Sequence, residues 1–250
     1  MILGFSLATL IGLSLGLMGG GGSILTVPIL VYALDMDPKL SIALSLAIVG
    51  LTSFVGSIAH LKAKNINLKI ALIFGPVAML GTYIGAKYLS AYFSGAAQLV
   101  LFSLVMLVAS VFMFKGRTER EVSSTKALNY PLIMTEGLLV GLLTGVVGVG
   151  GGFMIVPALV LLANIPMKQA IGTSLFIISF KSFAGFYGYL GNFEIPWNFL
   201  GQFSIFTIIG ILIGSHLVKY VSAKKLKKGF AIFLIIMGVF ILYKNRYVFI

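Results

Sequence analysis

Two glycine runs, Gly19-Gly20-Gly21-Gly22 and Gly148-Val149-Gly150-Gly151-Gly152, interrupt stretches that are otherwise apolar, and a proline follows each at the same distance, Pro28 and Pro157. Consecutive glycines cost a helix about 1 kcal/mol each relative to alanine. What they provide is a sharp backbone turn whose peptide N–H groups can be approached closely. Inside hydrocarbon such backbone survives only where it is buried in protein or lines a cavity. Matched interruptions in two halves of a chain therefore point to the binding site of a transporter.

The surroundings of the glycines are those of a membrane protein. Of 250 residues, 59% are hydrophobic and 10% charged, and the mean hydropathy is +1.10. The apolar runs are continuous, long enough to cross roughly 30 Å of hydrocarbon, and lack the alternation of a membrane barrel. The formal net charge is +12, but the basic residues lie mostly between apolar segments. They are better explained by orientation in the bilayer than by a nucleic-acid partner. The chain has no cysteine, which excludes disulfides and thiolate chemistry, and no cofactor or metal is expected. The first apolar stretch has no basic region before it and does not read as a cleaved signal peptide.

In chain order the sequence predicts a stretch 3–34 broken at Gly19–Gly22, helices over 38–61, 69–90 and 96–114, and a polar linker to Asn129. The pattern then returns as 131–163 broken at Gly148–Gly152, followed by 167–190, 197–219 and 224–243. The halves align without a gap at an offset of 129: Gly12, Gly16, Gly19, Gly21, Gly22 and Pro28 fall on Gly141, Gly145, Gly148, Gly150, Gly151 and Pro157. Gly81-x-x-x-Gly85 falls on Gly210-x-x-x-Gly214, a spacing that lets helices pack closely. Residues 1–114 and 130–250 are thus two repeats joined by a cytoplasmic linker, 115–129.

Loop charge distinguishes two topologies. If each broken stretch crosses once, the basic residues divide nine against eight, with no bias. If each dips in and returns, Lys62, Lys64, Lys69, the linker, Lys168 and the 219–228 cluster share one face. Only Lys39, Lys87, Lys244 and Arg246 remain opposite, thirteen against four, as the positive-inside rule requires. The expected fold is all-α and polytopic. It has two inverted repeats, each a re-entrant helix pair plus three transmembrane helices, with both termini outside.

The arm after each glycine turn presents a helix N-terminus, which suits an anion. The next helix carries a polar stripe, Ser41, Ser45, Thr52, Gly56 and His60, matched by Ala170, Ser174, Lys181, Gly185 and Tyr189. Serine and threonine in such places can simply bond their own helix carbonyls. Lys181 is harder to explain that way, because a mid-membrane charge costs at least about 2.5–3.5 kcal/mol and faces a cavity or a partner. Its candidate partners are a mobile anion, which is favoured, and Glu136, which lies only about a turn and a half into its own helix. His60 and His216 read as interfacial. Two such histidines and one glutamate do not supply an enzyme's nucleophile–base constellation.

The pattern Gly145-Val-Val-Gly148-Val-Gly150-Gly151-Gly152-Phe-Met-Ile-Val-Pro157, followed by Ala170-Ile-Gly172-Thr173-Ser174, resembles the TauE/SafE sulfite exporter family. A weaker copy runs from Gly16 to Pro28 and through Ala43-Leu44-Ser45, where Leu44 replaces the threonine. The resemblance implies a multi-pass cell-membrane transporter of a small sulfur-containing anion such as sulfite, thiosulfate or an organosulfonate. Relatives that handle thiosulfate through cysteines are a poor match, since this chain has none. The expected substrate-binding residues are Gly20, Gly21, Gly22, Ser45, Thr52, Gly150, Gly151, Gly152, Thr173, Ser174 and Lys181. The expected partners are the anion and membrane lipid, with a homo-oligomer left open and no nucleic acid. Export is favoured, because an anion leaving a negative interior gains about 2.3 kcal/mol per charge per 100 mV. An anion channel and a cation-coupled importer remain the alternatives.

Overall fold

A computed structural model describes residues 2–115, 130–148, 152–161 and 165–249. Its described residues are helical, without strands. Helix α1 (Ile2–Met18) ends where the Gly19 N–H donates to the Leu15 carbonyl at 2.8 Å and Gly19 takes φ +66°. This left-handed conformation ends a helix at little cost only for glycine. Helix α2 (Gly21–Pro28) then folds back along α1, so that a methyl group on Gly22 would fall 2.6 Å from the Leu15 Cβ. Continued as one helix, residues 15 and 22 would be about 10 Å apart along the axis. The stretch is therefore a hairpin, as expected.

Pro28 ends α2, and the chain continues through a wider π-helical segment, Ile29–Ala33. The proline has no N–H and its ring displaces the carbonyl four residues back, and a π-type turn absorbs that misfit.

Helix α3 (Pro38–Lys62) starts with Pro38 in its first turn and the Asp37 carboxylate accepting from the Leu40 N–H at 2.9 Å, a combination that fills donors left open at a helix start. Helix α4 (Leu68–Ile84) runs on through short π and 3-10 segments to Tyr92, and α5 (Gly95–Lys115) completes the first half. The second half repeats the order with α6 (Tyr130–Val147), α7 (Gly152–Leu161), α8 (Met167–Tyr189), α9 (Trp197–Leu217) and α10 (Ala223–Lys244). Gly148 matches Gly19, with φ +69° and its N–H on the Thr144 carbonyl at 2.8 Å. Five described helices are long and apolar enough to cross a membrane, namely α3, α4 with its extension, α8, α9 and α10. Helix α5, at 21 residues, occupies the sixth expected span.

The halves interlock. Helix α1 packs on α9 through Gly12 and Gly16 against Thr207–Ser215, and α4 packs on α6 through Gly81 and Gly85 against Leu138–Val146. A methyl group on Gly16 would fall 2.6 Å from the Ser215 nitrogen, and one on Gly81 2.6 Å from the Leu138 carbonyl oxygen. In both pairs residue numbers rise together, so the helices are parallel. Helices α3 and α8 occupy the centre, with 72% and 67% of their spans buried against 44% for α4 and α9. Here the numbers run oppositely: Gly185 faces Leu46, Ser182 faces Gly50, Phe180 faces Phe54 and Gly172 faces His60. These matched helices are antiparallel. Large apolar side chains such as Leu72, Leu80, Ile205 and Ile236 point outward, a surface suited to lipid.

Candidate anion site

The central helices cross where Thr52 and Lys181 stand, the two residues being equivalent at the offset of 129 and bracketed by the pairs Gly50/Ser182 and Phe54/Phe180. Lys181 is 0% exposed. Its Nζ donates to the Thr144 hydroxyl at 2.9 Å, and no carboxylate among the described residues reaches it. Glu136 is half-buried, two turns before Thr144 on α6, and does not pair with Lys181. An ammonium has three donors and no acceptor, so one hydroxyl leaves it underfilled and its charge uncompensated. Thr52 makes a different bond, its hydroxyl lying 2.6 Å from the Thr207 hydroxyl, with either able to donate.

On either side of this crossing lie the glycine turns. Ser174 Oγ donates to the Gly19 carbonyl at 2.9 Å, and Ser45 Oγ donates to the Gly148 carbonyl. Each turn is thus held by the central helix of the other half. The turns also meet, for a methyl group on Gly152 would collide with the Gly20 Cα and lie 3.0 Å from the Gly19 carbonyl oxygen. Glycine is needed there because two backbones share that space.

Not every expected residue lies at this centre. Gly22 packs between the arms of its own hairpin, and Gly21 opens α2. The Thr173 hydroxyl accepts from the Asn67 N–H at 2.9 Å and so ties α8 to the α3–α4 loop. Gly150 and Gly151 lie outside the described residues. His216 is exposed near the end of α9, in keeping with an interfacial reading, whereas His60 is more enclosed. His60 is at a helix end but only 4% exposed, and both His60 and His216 line a cavity between the ends of α3 and α9.

Sequence reasoning sets Tyr189 on the polar stripe without assigning it a bond, and it misses Gln98. The Tyr189 hydroxyl donates towards the Gly145 and Val146 carbonyls at 3.0 and 3.3 Å, and Gln98 Nε2 donates to Val146 at 2.7 Å. These two buried side chains fill the carbonyls just before the second turn. Thr144 and Thr207 are missed as well. Each is a lone hydroxyl in an apolar helix, and nothing in its spacing shows which neighbour it meets.

The pattern of the sulfite exporter TauE/SafE family matches residues 4–241, which span both glycine turns and Lys181. The chain belongs to that family. It is similar over 94% of its length, at 29% identity, to a probable membrane transporter protein of Xylella fastidiosa, covering 92% of that protein. A probable membrane transporter protein of Methanocaldococcus jannaschii is 27% identical over 97% of this chain and 94% of its own length. The Bacillus subtilis protein YdhB, also named a probable membrane transporter protein, is 25% identical over 94% of this chain and 97% of its own length. No solved structure matches the chain. The TauE/SafE member described here is a multi-pass membrane transporter and not an enzyme.

Proposed function

We propose that the chain is a secondary transporter that carries a small sulfur-containing oxyanion out of the cell, with Lys181 as the residue that neutralises it. The observation that carries this reading is the buried Lys181, with one hydroxyl partner and no carboxylate in reach. An anion would supply both the missing charge and the missing acceptors. The serines at the turns and the α2 and α7 N-termini add donors on the way to it. Sulfite, the anion for which the family is named, is the first substrate to test.

The two repeats are inverted in this reading. The antiparallel packing of the equivalent helices α3 and α8, the hairpin at Gly19 and the thirteen-to-four division of basic residues all favour it. Loops 62–69 and 219–228 and the linker then face the cytoplasm. With Lys181 and Thr52 0% and 1% exposed, the centre is closed, and passage requires one half to rock against the other. The deciding experiment is uptake of radiolabelled sulfite into liposomes containing the purified protein. Saturable flux is expected, and it should vanish in Lys181→Met while the protein stays folded. Undiminished flux in a folded Lys181→Met protein would remove Lys181 from the path, and flux that never saturates would favour a channel.

A further inference from the structure

The ends of α3 and α9 on the lysine-rich face border a half-open cavity of about 150 Å³, lined among others by His60, Asn65, Ser215 and His216. Ser215 is 7% exposed, and its hydroxyl has no hydrogen-bond partner. Ser45, Ser174 and Ser179 bond a carbonyl of their own turn, an option open to any helical serine, whereas Ser41, Ser53, Ser182 and Ser204 lack a partner as Ser215 does. Of these five, Ser215 is the one that lines the cavity. A buried hydroxyl left unfilled at a cavity wall is a costly arrangement unless something enters to use it.

The duplication supplies a control. Ser215, His216 and His60 occupy the positions that the other repeat gives to Ala86, Lys87 and Tyr189. On that opposite face the space is filled: Tyr189 is 3% exposed with its hydroxyl on the turn carbonyls, and a methyl group on Gly188 would lie 3.0 Å from the Ala86 Cβ. The cavity is therefore no by-product of the repeated packing. Its segments 59–69, 167–172 and 212–228 contain no aspartate or glutamate and many lysines, so its potential favours an anion. At about 30 Å³ per water molecule, it holds roughly five waters, enough for a small oxyanion with part of its hydration shell. The way inward is short. Gly172 lies against His60, and Ser174, two residues further on, holds the Gly19 turn.

We infer that this cavity is an anion-binding vestibule, in which Ser215, His216 and Asn65 receive a small oxyanion from the cytoplasmic side before it passes to the Gly19 turn. Its purpose rests on the transport reading, while its affinity for anions can be measured independently. The test uses the full chain, which has no native cysteine, carrying Ser215→Cys. Its reaction rate with a methanethiosulfonate bearing an ethylsulfonate is compared with that of the trimethylammonium analogue. Ser222→Cys, exposed on the same basic face, reports what surface lysines do alone. Salt of about 0.3 M screens that contribution to a range below about 8 Å.

The anionic-to-cationic rate ratio at residue 215 should exceed that at 222 by about tenfold or more, within the range that focused charge produces in a cleft. It should fall towards the control when His216→Ala is added. A ratio at or below the control overturns the vestibule. If Ser215→Cys fails to fold, Ala63→Cys, on the same cavity wall, carries the same comparison with the same expected and overturning results. A high ratio without sulfite flux in liposomes keeps the vestibule and removes the transport reading. A low ratio with intact flux does the reverse.

Discussion

The Ser174 hydroxyl lies 2.9 Å from the Gly19 carbonyl oxygen and 2.8 Å from the carbonyl oxygen of Ile171 in its own helix. Ser45 repeats the arrangement with Gly148 and Ile42. A hydroxyl has one proton, so each serine can hold the opposite glycine turn or fall back on its own helix. This gives a latch between the halves that releases at low cost, as the proposed rocking of one half against the other would need.

Ser174→Ala and Ser45→Ala should therefore destabilise modestly and by similar amounts. The alternative acceptor keeps the loss near the low end for a hydrogen bond, about 0.5–1 kcal/mol, or a melting shift of up to about 4 °C for a chain of this size. Maximal sulfite flux should change more than stability does. Thermal unfolding and liposome flux measured on both variants check this. A large drop in melting temperature with flux unchanged would make the serines plain packing groups.

The glycines at the turns should behave oppositely to glycines in open helix surface. A methyl group on Gly19 would sit 2.7 Å from the Ile171 Cα and 2.8 Å from the Ser174 Oγ, at φ +66°. Gly19→Ala should cost about 2–4 kcal/mol, combining left-handed strain with overpacking. Gly201 in α9 has nothing within 4 Å of an added methyl group, and Gly201→Ala should stabilise by about 0.5–1 kcal/mol. The sign of the melting shift in each variant checks the pair, and a stabilised Gly19→Ala protein would contradict the turn geometry.

Most of the architecture was legible because membrane helices and duplications leave strong traces. Continuous apolar runs marked the spans, and the offset of 129 aligned Gly12, Gly16, Gly81 and Gly85 with their counterparts before any contact was known. The small-residue spacing announced close packing without saying with what. That α1 pairs with α9 and α4 with α6, each across the halves, depends on three-dimensional complementarity that periodicity does not encode. Lys181 was conspicuous because a charge in hydrocarbon is costly. Its partner Thr144 was not, since a lone threonine in an apolar helix carries no such penalty. Tyr189 was concealed among aromatic residues that mostly face lipid, such as Phe183 and Tyr187, and only its burial on the Gly145 and Val146 carbonyls sets it apart.

Tyr189→Phe isolates that role, because the ring and its packing stay while the hydroxyl goes. The Val146 carbonyl keeps Gln98, whereas the Gly145 carbonyl loses a buried donor. The expected loss is about 1–2 kcal/mol. If the plug on this face is what keeps it shut, Ala86→Cys, the counterpart of Ser215→Cys, should be unreactive alone and become reactive once Tyr189→Ala removes the ring. Unchanged reactivity would leave Tyr189 as a packing residue.

The buried lysine is maintained without a carboxylate among the described residues. The Lys181 Nζ and the Thr144 Oγ1 are 2.9 Å apart, and a hydrogen bond to a charged group contributes about 1.5–3 kcal/mol. Thr144→Val keeps the shape and removes the acceptor, so it should destabilise by about that amount. Lys181→Met removes the charge itself, and because a buried charge is a net burden, it should leave stability unchanged or raise it. In the Lys181→Met background, Thr144→Val should then cost less than about 1 kcal/mol. Thermal unfolding of the four proteins gives the coupling directly. The same set read with and without sulfite separates structure from transport. Sulfite should stabilise the wild type and, more strongly, Thr144→Val, whose lysine lacks a partner, and it should not stabilise either protein carrying Lys181→Met. An equal cost for Thr144→Val in both backgrounds would show that the threonine does not sustain the lysine, and sulfite stabilisation of Lys181→Met matching the wild type would place the anion elsewhere.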